Sequence, residues 1–287
     1  GNTPNVILQT KEAARIMIGA MVPNEADSVI MLEAVKEEKR EGVTYISVRK
    51  PVEANRNVTP IGFEKREGET VLHKGMKINA GEMAVLASLG YERVPVFRKP
   101  KAAILSTGTE LLDVNEPLVE GKIRNSNSYM LAAQIEQCGG IAEILPKLQD
   151  KEGEVKDFIL ALCQRSDLDT TGVVSVGDYD IIADFFLDWE GTTLFNRVKM
   201  RPGSVTTVGF WKDKMLFGLS GNPSACYVGF ELFVRPSIYH LLHIESAPNI
   251  TTAILEEDYK KKSDYPRFVR GRFTLKNGNV FVSTTGL

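Results

Sequence analysis

Cysteine, histidine and tryptophan are scarce in this chain: three, three and two among 287 residues. Cys138, Cys163 and Cys226 lie far apart in apolar segments. They have neither the paired spacing of a disulfide framework nor that of a metal site, so they read as reduced thiols of a reducing compartment. His240 and His243, one helical turn apart, have no third ligand and read as ordinary residues of a partly buried helix. No apolar run reaches the roughly 18 residues of a membrane span. The opening "GNTPNVILQT" has no signal-peptide pattern. A surplus of one charge is also missing: 35 Lys and Arg against 37 Asp and Glu give a net charge of −2. Dispersed basic residues then give no reason to expect nucleic acid or an acidic membrane as a partner. No repeat or low-complexity segment stands out. The expectation is a cytoplasmic globular protein of about two domains by length. Both ends read as open, the chain starting in a polar stretch and stopping at "FVSTTGL" after a strand-like run.

What is there falls into two regimes. From Asn5 to about Lys99 the pattern is strand-like: "DSVIMLEAV", "GVTYISVRKPV" and "ETVLHKGMKI" are short apolar or alternating runs, with "EEKREG" as a hairpin tip. "NAGEMAVLASLGY" is the one clear helix, with Asn79 as N-cap and Gly90 after the last turn. From Lys101 to about Ser246 strands and helices alternate. Strands are expected at "AAILST", "IAEILP", around "FNRVKM", at "SVTTVGFW" and at "KMLFGL". Helices are expected at "NSYMLAAQIEQCGG", "EGEVKDFILALCQRS", "DIIADFFLDW" and "SACYVGFELFVRPSIYHLLHI", with "TTGVVSVGDYD" as a turn. This alternation predicts an α/β domain with a largely parallel sheet covered on both faces. Past Asn249 short strands begin another β unit.

In such sheets ligands bind beyond the carboxyl ends of the strands. Four strand-end segments there share one chemistry: Ser106-Thr107-Gly108-Thr109-Glu110, Thr170 to Asp180, Lys199 to Ser204, and Ser220-Gly221-Asn222-Pro223. Glycines and small hydroxyl residues let a phosphate approach the backbone and supply donors. The last segment breaks an apolar strand just where a helix starts, which predicts helix N-terminal N–H groups facing an anion. Arg197, Lys199 and Arg201, at alternate positions of an extended strand, would share one face and neutralise that anion. Glu110, Asp150, Asp178 and Asp180 are carboxylates at the same edge. Together these features predict a phosphorylated ligand handled with a hard cation such as Mg²⁺. Each segment also has a plainer reading: "STGTE" and "SGNP" suit capped turns, Asp178 and Asp150 suit helix caps, and Arg197 and Lys199 suit solvated strand positions.

The ordered set "ARIMIGAMVPNEADSVIMLE", "AAILSTGTELL", "GKIRNSNSYMLAAQIEQCG", "VVSVGDYD", "MRPGSVTTVG" and "GLSGNPSACYVGFELF" resembles the MoeA family of molybdenum-cofactor biosynthesis, to which the gephyrin E domain is related. The resemblance covers nearly the whole chain. It implies a MogA-like molybdopterin-binding α/β domain at 99–246, flanked by a β-rich domain at 1–56, a β/α connecting domain at 57–98 and the start of a C-terminal β-barrel at 247–287. The implied activity takes adenylylated molybdopterin and molybdate, hydrolyses the adenylate with Mg²⁺, inserts molybdenum into the dithiolene and releases AMP. A homodimer is implied, with a molybdopterin adenylyltransferase as pathway partner. Carried over by motif, Glu110, Asp150 and Asp180 are the catalytic acids, with Asp150 and Asp180 on the metal. The ligand-binding set is Ser106, Thr107, Gly108, Asn125, Ser126, Asn127, Gly172, Ser175, Gly177, Arg197, Arg201, Pro202, Gly203, Ser220, Gly221, Asn222 and Pro223.

The chain departs from the family pattern at identifiable places. Arg197 and Arg201 stand where many members have Lys, and Ser220 where many have Pro. Ile18 replaces a typical Thr. "NVTPIGFEKREG" replaces an Arg-rich stretch ending in Gly-Glu-Asp and leaves Glu64 as its acid. "DLDTTGVVSVGDYD" lacks a double glycine, which sets Val173 beside the expected phosphate turn. The family's "PxFDxSAMDGYA" segment, with its Asp, precedes the stretch represented here. Two other functions fit parts of the pattern. One is a gephyrin-like scaffold that binds partners, which the altered segments suit. The other is a MogA-type adenylyltransferase, which the flanking β-rich segments disfavour and which ATP binding would reveal.

Overall fold

The structure is a computed structural model and describes residues 3–148, 157–162, 170–177, 185–187, 189–244 and 250–285. It divides into two compact units, residues 1–73 and 74–287.

In the first unit, β1 (Val35–Arg40) and β2 (Val43–Val48) form an antiparallel hairpin in which Arg40 pairs with Val43. Only Glu41 and Gly42 form the turn, both with positive φ (49° and 81°). That backbone matches the twist of the flanking strands, so the expected tip is narrower than "EEKREG" and Glu37 to Arg40 belong to the strand. Ahead of it, Leu32–Ala34 is a 3₁₀ turn rather than strand. The rest is loop held by Val29 N–H to the Arg56 carbonyl (2.9 Å) and Asn57 Nδ2 to the Val29 carbonyl (2.8 Å).

"ETVLHKGMKI", residues 69–78, forms no strand and leads from the first unit into the second. There α1 (Ala80–Ser88) follows its predicted N-cap, the Asn79 N–H donating to Glu82 Oε2 at 2.8 Å. Its own backbone N–H and that of Asn79 hold the Glu82 carboxyl below the usual range. The central sheet uses β3 (Lys101–Ser106), β6 (Ile141–Ile144), β7 (Thr170–Gly177), β8 (Thr192–Phe195), β9 (Thr207–Trp211) and β10 (Lys214–Ser220) in the order β6-β3-β7-β10-β9-β8. The first four run parallel, and β9 and β8 close the sheet as antiparallel neighbours. A small parallel pair, β4 (Leu111–Leu112) and β5 (Ile123–Arg124), lies in the connection from β3 to α2 (Asn127–Gln137).

The segment expected as a turn at 170–180 is therefore a central strand through Gly177. Val173 sits within it, opposite Ala103 and Leu216. A β-branched residue suits a position in a parallel ladder. The predicted strand around "FNRVKM" is mostly loop instead. It bonds within itself, Val198 N–H to the Ser204 carbonyl (2.9 Å) and Met200 N–H to the Val198 carbonyl (2.8 Å). Arg197, Lys199 and Arg201 consequently do not share a strand face.

Alternation along β3 shows why the sheet is buried on both faces. Ile104 packs with Leu131, Ile135, Phe217, Leu219, Cys226 and Phe230. Ala103 and Leu105 pack on the other side with Leu216, Ile159 and Leu162 of helical residues 157–162, Phe185 and Trp211. The long predicted helix runs as α3 (Pro223–Gly229), a π-helical turn (Phe230–Val234) and α4 (Arg235–Leu241). The π turn precedes Pro236, which cannot donate a helical N–H. A last sheet combines β11 (Ile254–Leu255), β13 (Asn279–Thr284) and β12 (Gly271–Lys276) in that order.

Candidate functional site

Strand register decides which segments can meet. Ser106 pairs with Val176, and Gly177 with Ser220, so the carboxyl ends of β3, β7 and β10 form one sheet edge. Gly172 is at the other end of β7, opposite Ala102 and Met215, and Ser175 lies one step inside the edge, opposite Leu105 and Gly218. The predicted segment thus contributes Gly177 at the edge and does not bring Gly172 there. Asp150, Asp178 and Asp180 lie outside the described residues.

The edge is tied together by the start of α2. Asn125 Nδ2 donates to Ser106 Oγ (3.1 Å), and Asn125 Oδ1 accepts from the Ser128 N–H (3.2 Å). Asn127 Nδ2 donates to the Gly221 carbonyl (2.7 Å). One asparagine therefore fixes the loop after β3 and the other the loop after β10. Thr107 Oγ1, Asn127 Oδ1 and Ser128 Oγ are buried without a hydrogen-bond partner among the described residues. Buried polar atoms normally have partners, so this edge carries donor and acceptor capacity that the described residues do not use. Ser126, beside them, is exposed.

Glu110 is exposed and folds back over Gly108, whose φ is +138°. A Cβ at 108 would lie 2.6 and 2.8 Å from the two carboxylate oxygens of Glu110. The loop around Glu110 is closed by Ile123 N–H to its carbonyl (2.9 Å) and by the Lys122 ammonium on the Thr109 carbonyl. Across from it, Lys147 Nζ donates to the Leu111 carbonyl (2.9 Å) and to Glu116 Oε2 (3.3 Å). The Asp113 N–H, and then Lys147, hold the Glu116 carboxyl below its ordinary range.

The turn at Ser220 to Pro223 corrects one expectation. Asn222 Oδ1 accepts from Ser224 N–H (3.0 Å) and Ala225 N–H (3.3 Å), and Pro223 has no N–H to offer. The side chain of the cap consumes the first-turn donors that were expected to face an anion. Ser220 Oγ is itself bonded by the Asn222 N–H (3.3 Å).

Beside this turn lies the loop of Arg201, Pro202 and Gly203. A Cβ on Gly203 would lie 3.4 Å from the Ala225 carbonyl. The loop is paired by a segment that the sequence reading treated only as strand: Arg201 N–H donates to the Pro266 carbonyl (3.0 Å), and Phe268 N–H to the Arg201 carbonyl (2.8 Å). Arg201 and Arg267 thereby become bridge partners, and Arg267 Nε is buried without a partner among the described residues. Arg270 lies 5.6 Å above the Tyr227 ring of α3. Two arginines spaced through "PRFVRG" were the available signal, and only tertiary pairing reveals that one abuts Arg201. Arg197 and Lys199 are exposed in the same loop.

His240 and His243 hold no metal set: the described residues contain no group of three or more His, Cys, Asp or Glu able to bind one. His243 stacks on Phe97 with centroids 4.1 Å apart, and Lys74 lies over the same ring at 5.6 Å. Burial pushes the Cys226 thiol up to about 12, which marks it as packing rather than chemistry. No described helix is long and apolar enough to cross a membrane.

Residues 1–90 match the family described as the MoeA N-terminal region (domain I and II), and residues 103–240 match the probable molybdopterin binding domain. The chain is 43% identical over 288 residues to a molybdopterin molybdenumtransferase of Staphylococcus aureus (strain MRSA252), covering 100% of this chain and 68% of that protein. A protein of the same name from Bacillus subtilis (strain 168) is 42% identical over 278 residues, covering 96% of this chain and 65% of the relative. Among solved structures, the molybdopterin biosynthesis moeA protein of Pyrococcus horikoshii OT3 is similar with a TM-score of 0.76 at 29% identity, over 98% of this chain and 68% of that one.

Proposed function

Because this chain belongs to the MoeA family, whose work is molybdenum-cofactor biosynthesis, we propose that it is a molybdopterin molybdenumtransferase acting on adenylylated molybdopterin and molybdate. The observation that carries the reading is the convergence of Ser106 to Glu110, Gly177 and Ser220 to Pro223 on one sheet edge, with unused polar atoms of Thr107, Asn127 and Ser128 buried beside it.

A pyrophosphate needs donors and cations. Ser106, Thr107, Ser126 and Asn127 supply side-chain partners, and Gly108, Gly177 and Gly221 keep the backbone low enough for close approach. With the first turn of α3 self-capped, the Arg201–Pro202–Gly203 loop, Arg267 and Arg197 carry the charge neutralisation. Guanidinium is suited to that role because it pairs bidentately with phosphate and molybdate oxygens. Donor chemistry at this edge fits a hard cation: the Glu110 carboxylate and the hydroxyl oxygens of Ser106 and Thr107. Asp150 and Asp180 would hold Mg²⁺, which when bound offsets the negative charge of the phosphoanhydride oxygens. Glu110 holds or moves a proton as water breaks the bond to AMP, and molybdenum ends bound to the two dithiolene sulfurs as one molybdate oxygen leaves as water with the two thiol protons.

We further read the chain as a cytoplasmic homodimer that receives its substrate from a molybdopterin adenylyltransferase, and as divided at about 56, 98 and 246. Fully exposed Ile18 and Ile61, with the outward Val43, Tyr45, Ile46 and Val48 of β2, favour a covered surface in solution. The test is calorimetric titration with adenylylated molybdopterin, Mg²⁺ and molybdate while AMP is followed. Tight binding with molybdate-dependent AMP release, lost in Asp180→Ala, is expected. Absence of binding sinks the reading and leaves a partner-binding scaffold ahead.

A further inference from the structure

We propose that Lys122 and Lys147 are positioning residues for Glu110, clamping the main chain on its two sides so that the carboxylate is presented in one place. This rests on the reading in which Glu110 takes part in turnover. The Lys122 ammonium bonds the carbonyl of the preceding residue, Thr109, and the Lys147 ammonium the carbonyl of the following one, Leu111, at 2.9 Å. The two lysines come from different places. Lys122 belongs to the loop that returns to β5, whereas Lys147 follows β6, one residue before the bridge between Leu148 and Thr107. Lys147 therefore ties the end of one strand to the loop of another.

Glu116 fixes Lys147 in turn. Its Oε2 accepts from both Lys147 (3.3 Å) and the Asp113 N–H, and its carbonyl accepts from Arg124 Nη2 (3.0 Å). A structural role alone explains this network poorly. The Lys147 and Glu116 side chains are 34% and 42% exposed, and ion pairs so placed contribute little to stability. What the network does accomplish is geometric. Glu110 sits on a loop that Gly108 enters at a φ of +138°, and the two ammonium groups hold the carbonyls on either side of it.

The test uses the full chain. Lys147→Met is expected to melt within a degree or two of the parent, while amide hydrogen exchange at residues 108–112 accelerates. The kcat of molybdate-dependent AMP release should fall about 10- to 100-fold, with the KM for adenylylated molybdopterin unchanged, as expected for a misplaced group that acts in the transition state. Lys147→Arg should restore most of it. Because Lys147 acts through Glu110, Lys147→Met should have no further effect in a Glu110→Gln background. Unchanged exchange at 108–112, or an equal fold-loss with and without the Glu110 carboxylate, overturns the clamp. An unchanged kcat in Glu110→Gln alone also overturns the proposal, and identifies the assignment of Glu110 as the point of failure.

Discussion

A side chain at position 108 would meet the Glu110 carboxylate. Its first carbon would stand 2.6 Å from one oxygen of Glu110, and the backbone there lies in a region that L-residues rarely adopt. Gly108→Ala should therefore cost about 1–3 kcal/mol of backbone strain and displace the Glu110 carboxylate. The expected result is a modest fall in melting temperature with a much larger loss of AMP release, read by comparing the two in one preparation. At the same scale Cys226 gives a pH prediction. Burial raises its folded pKa to about 12 from the ordinary value of 9.0. The folded state thus keeps a proton that the unfolded state gives up, and stability, intact below pH 9, declines as pH rises from 9 towards 12. Cys226 should resist alkylation in the native protein at pH 8, and its reaction under those conditions would contradict the burial.

The junction of β10 and α3 shows what an element boundary owes to its residues. Asn222 takes two first-turn N–H groups, and Pro223 fills the one position where a missing N–H is harmless. Asn222→Ala should destabilise by about 1 kcal/mol and free the Ser224 and Ala225 donors, and denaturant unfolding measures the loss. Deeper in the same helix Phe230 is fully buried at the start of the π turn, against the sheet face that holds Ile104 and Phe217. Phe230→Ala should cost about 3–5 kcal/mol, several times the cap. Both elements were legible in the sequence, because a Pro at the first helical position and a 3.6-residue apolar period are local signals. The loop of Arg201 was not. "FNRVKM" alternates like a strand, yet its hydrogen bonds turn back on themselves and on Pro266 and Phe268, which lie more than sixty residues away in sequence.

Across the molecule burial is uneven. Between residues 3 and 73 only Pro23 is buried, whereas both sheet faces of the second unit are closed by packed side chains. Limited proteolysis should cut first within 1–73 and leave a resistant fragment starting near Lys74. Early cleavage inside β3 or β10 would contradict that division of stability. Dimer formation should slow cleavage of the first unit as protein concentration rises, and sedimentation at the same concentrations should give twice the monomer mass.

The sequence by itself determined the α/β alternation, the cap at Asn79, and the small-residue segments at Ser106 and Ser220, because these rest on periodicity and on residues within a turn of one another. It also carried the family, since six motifs in fixed order survive even where Ile18, Arg197 and Ser220 depart from the common residue. Tertiary structure alone decided two things. It made 170–177 a central strand, a position settled by having β3 and β10 on either side and not by its glycine-rich composition. It also set Arg267 beside Arg201 and Lys147 beside Leu111. Those contacts cross long stretches of chain, and nothing local to either partner encodes the other.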